Sequence, residues 1–115
     1  MHLNLKATDM EWTPSLKEFV EKKLGSLERF VRRFDEEGSV ELRVEVAKTT
    51  RHHRKGEVFR AEANLKLPNA LLRAEERAED LRVAVDRLRH TLELEIHKYK
   101  TKFVGNPRRE GKAEK

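Results

Sequence analysis

The chain contains no cysteine. Disulfide staples and thiolate metal sites are therefore excluded, and a reducing interior is permitted. No apolar run approaches the roughly 20 residues needed to cross a bilayer. The first residues alternate like a strand and lack the apolar h-region of a secretory signal, so a cytoplasmic location with no membrane partner is expected. Absent too are HExxH, a Gly-rich phosphate loop and Gly-x-Ser-x-Gly. His52 and His53 are neighbours whose side chains point apart in extended chain. His90 and His97 stand two helical turns apart, about 10 Å, too far for one metal ion with bonds of about 2 Å. No enzyme activity, no metal, no cofactor and no small-molecule substrate are expected.

Charge is plentiful. Of 115 residues, 41% are charged and 37% apolar, with a net charge of +5 and a pI near 9.6. One domain fits this length. So polar a chain can bury only a thin core, which implies one sheet with one helical layer. A basic balance favours a polyanionic partner, and its distribution sharpens the point. The stretch from Lys48 to Lys55 holds Lys48, Arg51, Arg54 and Lys55 without an acid, whereas acids gather at 35–37 and 75–80.

Periodicity supplies the elements. Leu3, Leu5 and Ala7 alternate with Asn4 and Lys6, a half-buried strand. Thr13-Pro14 reads as an N-cap followed by proline at the first helical position. An apolar stripe of Leu16, Val20, Leu24, Leu27, Val31 and Phe34 follows, flanked by Phe19 and Phe30, so one helix is expected up to Asp35. Gly25 should weaken it by about 1 kcal/mol relative to alanine. Trp12, just before the cap, is expected to pack as a staple on the first turn. Val40 to Val46 alternates as a second strand and Phe59 to Leu67 as a third. Pro68-Asn69 signals a turn, and Leu71 to Glu76 a short fourth strand. The last helix is placed at Glu79 to Lys102, because Leu81, Val85, Leu88, Leu92, Ile96, Tyr99 and Phe103 recur in steps of three and four. The result is an α+β fold, β-α-β-β-β-α, with a four-stranded sheet and two helices packed on one face. Its first two strands should be parallel neighbours joined through a helix. The other sheet face, with Asn4, Lys6, Arg43, Glu45, Arg60 and Glu62, should be wet. Residues 1–103 form the expected domain, and 104–115 a flexible basic tail.

Two stretches could bind a phosphate backbone. Arg51-His52-His53-Arg54-Lys55 offers forked and point-charge donors, though a hairpin tip also needs charge for solubility. On the last helix, Arg82, Arg89 and Lys100 share one side, with His90 and His97 nearby, while Arg87, Lys98 and Lys102 share another. Cations near a helix C-terminus also complement its dipole. The outward side of the sheet carries no aromatic residue, so base stacking there is not expected, and an RNA partner would be read by shape, through phosphate and sugar.

Asn4-Leu5-Lys6-Ala7-Thr8-Asp9-Met10-Glu11-Trp12-Thr13-Pro14, with Leu16 to Leu24, resembles the start of the ribosome hibernation-promoting factor family, which includes the ribosome-associated translation inhibitors. Arg73-Ala74-Glu75-Glu76, Glu79-Asp80-Leu81, Ala84-Val85-Asp86 and His97-Lys98-Tyr99-Lys100-Thr101-Lys102 continue the likeness up to about Phe103. Arg82 stands where the family often has an aromatic, and Glu93 and Glu95 stand where it is more basic. The resemblance implies binding to the small ribosomal subunit (30S, alone or in 70S ribosomes) and its 16S-type rRNA. The domain would occupy the mRNA and tRNA channel and silence idle ribosomes. It places the rRNA contacts on Arg51, His52, His53, Arg54, Lys55, Arg82, Arg89, Lys98, Lys100 and Lys102. A short form, or the N-terminal half of a long one, is expected. The alternatives are a generic structured-RNA-binding module and a protein-interaction module that modulates transcription.

Overall fold

Four strands and two principal helices appear in a computed structural model, which describes residues 1–49 and 58–104. Strand β1 spans His2–Thr8, β2 Glu41–Lys48, β3 Phe59–Leu67 and β4 Ala70–Ala78. Their order across the sheet is β1-β2-β3-β4. The first pair is parallel and the other two antiparallel, because the first connection passes through helices while the later ones turn back.

The alternation of side chains sorts the two faces. Leu3, Leu42, Leu65 and Leu72 stand in one cross-strand row, and Leu5, Val44, Ala63 and Ala74 in the next. These rows form the floor of a single core. The opposite face carries Asn4, Lys6 and Arg43, all exposed, and Glu45, Arg60 and Glu62, half-buried. The half-burial has a local cause: Arg60 Nη1 donates to Glu62 Oε1 at 2.8 Å, so these side chains lie along the sheet.

Helix α1 spans Pro14–Gly25. Thr13 caps it, its Oγ1 accepting from the Leu16 N–H at 3.2 Å. The single helix expected to run to Asp35 is broken here. A short turn leads into α2, Glu28–Val31, and then into tight turns at Arg32–Phe34 and Glu36–Gly38. Gly25 is a poor helix former, and Ser26 completes the stop by donating from Oγ to the Lys23 carbonyl at 2.6 Å. Tertiary burial then holds the bent segment, because Val20, Leu24, Leu27 and Val31 are all fully buried. Trp12 is half-buried and packs against the core.

Helix α3 spans Leu81–Tyr99 and continues in a wider π turn over Lys100–Val104. Its cap is Asp80, whose Oδ1 accepts from the Arg82 N–H at 2.9 Å, so the helix starts two residues later than expected. Leu81, Val85, Leu88, Leu92, Ile96 and Tyr99 all point into the core. Strand β4 is longer than the expected Leu71 to Glu76, gaining a residue at its start and two at its end. Leu67 pairs directly with Ala70 across the Pro68-Asn69 turn, where Asn69 takes a φ of 61°, a conformation that asparagine tolerates. Tyr99 fastens the end of α3 to this turn, its hydroxyl donating to the Pro68 carbonyl at 2.9 Å. From 105 onward the expected tail lies outside the described residues.

Candidate functional site: a basic groove between the helices

The bent first helical segment runs beside α3. Between them lie two half-buried phenylalanines, Phe19 on α1 and Phe30 on α2. Both belong to the margin of the apolar stripe, and neither is fully covered. Cations from both helical segments fold over their rings. The Arg82 guanidinium lies 4.8 Å from the Phe19 centroid and Lys23 Nζ lies 5.7 Å from it. Around Phe30 stand Arg29 at 4.9 Å, Arg89 at 5.9 Å and Lys100 at 5.8 Å. His97 meets the same ring edge-on at 5.9 Å. At the far end Arg33 covers Phe34 at 5.1 Å. The ring faces carry negative quadrupole density, which holds each cation on the groove wall.

Six cations therefore line the groove: Lys23, Arg29, Arg33, Arg82, Arg89 and Lys100. Two carboxylates answer them. Asp86 pairs with Lys23 at 3.0 Å, and Glu93 pairs with Arg89 at 2.9 Å while its other oxygen lies 3.8 Å from His97. Arg89 is further fixed by donating from Nε to Ser26 Oγ at 2.8 Å. Lys100 has its pKa lowered, first by burial and then by the positive charge of Arg33. An anion bound beside Lys100 would offset the repulsion between Lys100 and Arg33. Fixed guanidinium forks and ammonium groups spread along the two helical segments suit a chain of phosphates better than a single small ion.

The expected contact residues divide by place. Arg82, Arg89 and Lys100 come together in this groove. Lys98 projects from the opposite flank of α3 and reaches Glu95 at 3.4 Å. Lys102 is exposed in the final π turn. Arg51, His52, His53, Arg54 and Lys55 lie outside the described residues. Sequence reasoning passed over Lys23, Arg29 and Arg33. The available signal was the placing of Arg29 and Arg33 immediately before Phe30 and Phe34, at helical spacing, beside the stripe. A shallow depression of ≈ 290 Å³ on the outer sheet face, between Lys6, Arg43, Glu45 and Glu62, has mixed charge and no aromatic floor. Among the described residues no group of three or more metal-ligating side chains occurs, and no helix is long and apolar enough to cross a membrane.

The molecule is thus a small α+β domain with a cluster of cations set on phenylalanine rings between its helices. The particular family is shown by comparison with known sequences. Residues 3–104 match the model of the family described as "Sigma 54 modulation protein / S30EA ribosomal protein", and the chain belongs to it. It is 34% identical over 111 residues to a ribosome hibernation promotion factor of Bacillus subtilis, covering 96% of this chain and 54% of that protein. To the factor of the same name from Deinococcus radiodurans it is 30% identical over 110 residues, with the same coverages. The chain thus spans about half the length of these curated relatives. The crystal structure of the Thermus thermophilus Protein Y N-terminal domain superposes with a TM-score of 0.68 at 28% identity, covering 86% of this chain and 99% of that one. A ribosomal subunit interface protein from Coxiella burnetii gives 0.71 at 27%, covering 89% and 100%.

Proposed function

We propose that this domain, residues 1–103, binds the small ribosomal subunit, occupies its mRNA and tRNA channel and silences translation in idle ribosomes. The carrying observation is the groove, six cations over phenylalanine rings, in a chain whose relatives are named as hibernation factors. The mechanism is steric. Arg29, Arg33, Arg82 and Lys100 hold rRNA phosphates, Arg89 contributes less because Glu93 pairs with it, and the folded bulk of the domain excludes mRNA and tRNA. No bond is made or broken. Lys98 and Lys102, away from the groove, add further cations, as do residues 51–55. Contacts to phosphate and sugar give affinity without base readout, because the phenylalanines are already covered by the protein's own cations. The protein acts in the cytoplasm, where ribosomes are.

Sedimentation tests this reading. The purified domain is mixed with vacant small subunits, with whole ribosomes and with free duplex RNA, and translation is measured in parallel. Co-sedimentation with small subunits, blocked by prior loading of mRNA and tRNA, is expected. Equal affinity for free duplex RNA would instead support a generic RNA-binding module. Absence from ribosomes at low salt would sink the proposal and favour a role in transcription.

A further inference from the structure

We propose that the outer edge of β4 is a self-association surface, which takes β4 of a second copy in antiparallel register about Ala74. The inference is independent of the ribosomal role.

Strand β4 is an edge strand, and no described strand pairs with its far side. The Ala78 carbonyl faces inward, accepting from the Val58 N–H at 3.2 Å. Backbone groups alternate sides along a strand, so those of Leu71, Arg73, Glu75 and Arg77 face outward. The Arg77 carbonyl agrees with this, since Arg87 reaches it from α3 at 2.9 Å. Edge strands left open in this way are templates for pairing.

The side chains select a partner and a register. Centred on Ala74, two antiparallel copies oppose all nine residues from Ala70 to Ala78. Arg73 then faces Glu75 of the second copy, and Glu75 faces its Arg73. Leu71 faces Arg77, whose aliphatic stem can cover it. Shifting the centre by one residue to Arg73 or Glu75 brings like charges directly opposite, at Arg73 with Arg73 or at Glu75 with Glu75, which opposes pairing. A centre at Glu76 sets Glu76 against Glu76 and pairs only five strand residues. The strand is therefore charge-complementary to itself, as an isologous two-fold contact requires.

The exposed large apolar residues support the same surface. Among the described residues they are Leu71, Val83 and Leu94, at 57%, 39% and 48% exposure. Leu71 lies on β4 itself. Val83 and Leu94 fall on the flank of α3 that carries Arg87 and Thr91, which reach over β4 to the Arg77 carbonyl and to Glu76. Helix α3 lies across β3 and β4. With strands about 4.8 Å apart, the two copies of α3 would run about 10 Å apart, at the upper end of ordinary helix-packing distance. Leu94, between the Arg87 and Tyr99 anchors, would then face its own copy. The basic groove, on the other flank of α3, stays open.

The test uses the full chain by sedimentation equilibrium from about 1 μM to about 1 mM. A monomer–dimer equilibrium is expected. Arg73→Glu and Glu75→Arg should each weaken dimerisation roughly tenfold or more, since each creates two like-charge pairs. An equimolar mixture of these two variants should recover a one-to-one dimer, because their charges complement each other. Circular dichroism confirms that each variant is folded. A monomer at every concentration overturns the proposal. So does a dimer that ignores both reversals, or variants whose mixture stays monomeric.

Discussion

Glu93 is the residue that most limits the groove as an anion site, and removing its charge is the sharpest test of the electrostatic argument. Its carboxylate holds Arg89 at 2.9 Å and approaches His97 at 3.8 Å. An arginine neutralised in this way releases few counterions when it meets a phosphate. Lys23 is likewise occupied by Asp86. That leaves about four groove cations to act: Arg29, Arg33, Arg82 and Lys100. With a slope of roughly −0.7 to −0.9 per phosphate, a fourfold rise in salt should weaken the groove's share of binding about 50- to 150-fold, and any phosphates met by the other cations steepen both curves equally. Glu93→Gln keeps the shape and frees Arg89 as a fifth groove cation. The groove's share should then fall about 130- to 500-fold over the same rise, with tighter binding at low salt. The stability cost is small, about 0.5 kcal/mol for such a helical pair. The assay is co-sedimentation with vacant ribosomes over a salt series, for the wild type and the variant. An unchanged slope with unchanged low-salt affinity would refute the groove as the phosphate-binding surface. A flat response in both proteins would refute the electrostatic anchor itself.

Other expected outcomes concern the fold. Gly25→Ala should stabilise the protein by about 0.5–1 kcal/mol, because an added Cβ at Gly25 meets nothing within 4 Å; a lower denaturant midpoint would count against that account. Tyr99→Phe should cost about 0.5–1.5 kcal/mol, since it removes the bond to the Pro68 carbonyl at 2.9 Å; urea unfolding reads this directly. Asp35 has its pKa lowered from 3.8, first by the hydrogen bond from the Met1 ammonium and then by the Val40 N–H. Its contribution to stability is therefore present above 3.8 and lost as pH falls through the depressed folded value. Asp35→Asn should flatten this acid limb of the stability curve, and an unaltered limb would assign it to other carboxylates.

How much of this was legible beforehand depends on the element. Val40 to Val46 and Phe59 to Leu67 announce themselves as strands because alternate side chains must face one core. Leu81 to Tyr99 announces a helix through its three-and-four spacing. The break at Gly25 was visible only as a weak point. Whether a glycine breaks a helix or merely softens it depends on what the following residues can bury, and Leu27 and Val31 are both fully buried in the broken path. In the groove, Arg82, Arg89 and Lys100 could be grouped from their own helix. Their partners Lys23, Arg29, Arg33, Phe19 and Phe30 could not, because they lie roughly fifty residues or more away in the chain.

By itself the sequence determined which residues go inside. Burial of apolar side chains follows local periods of two and 3.6 residues, and both periods are written along the chain. Only the tertiary structure decided which flank of α3 meets Phe19 and Phe30 and which overlooks the open edge of β4. Those assignments depend on how separate elements lie against one another, and no local spacing encodes that adjacency.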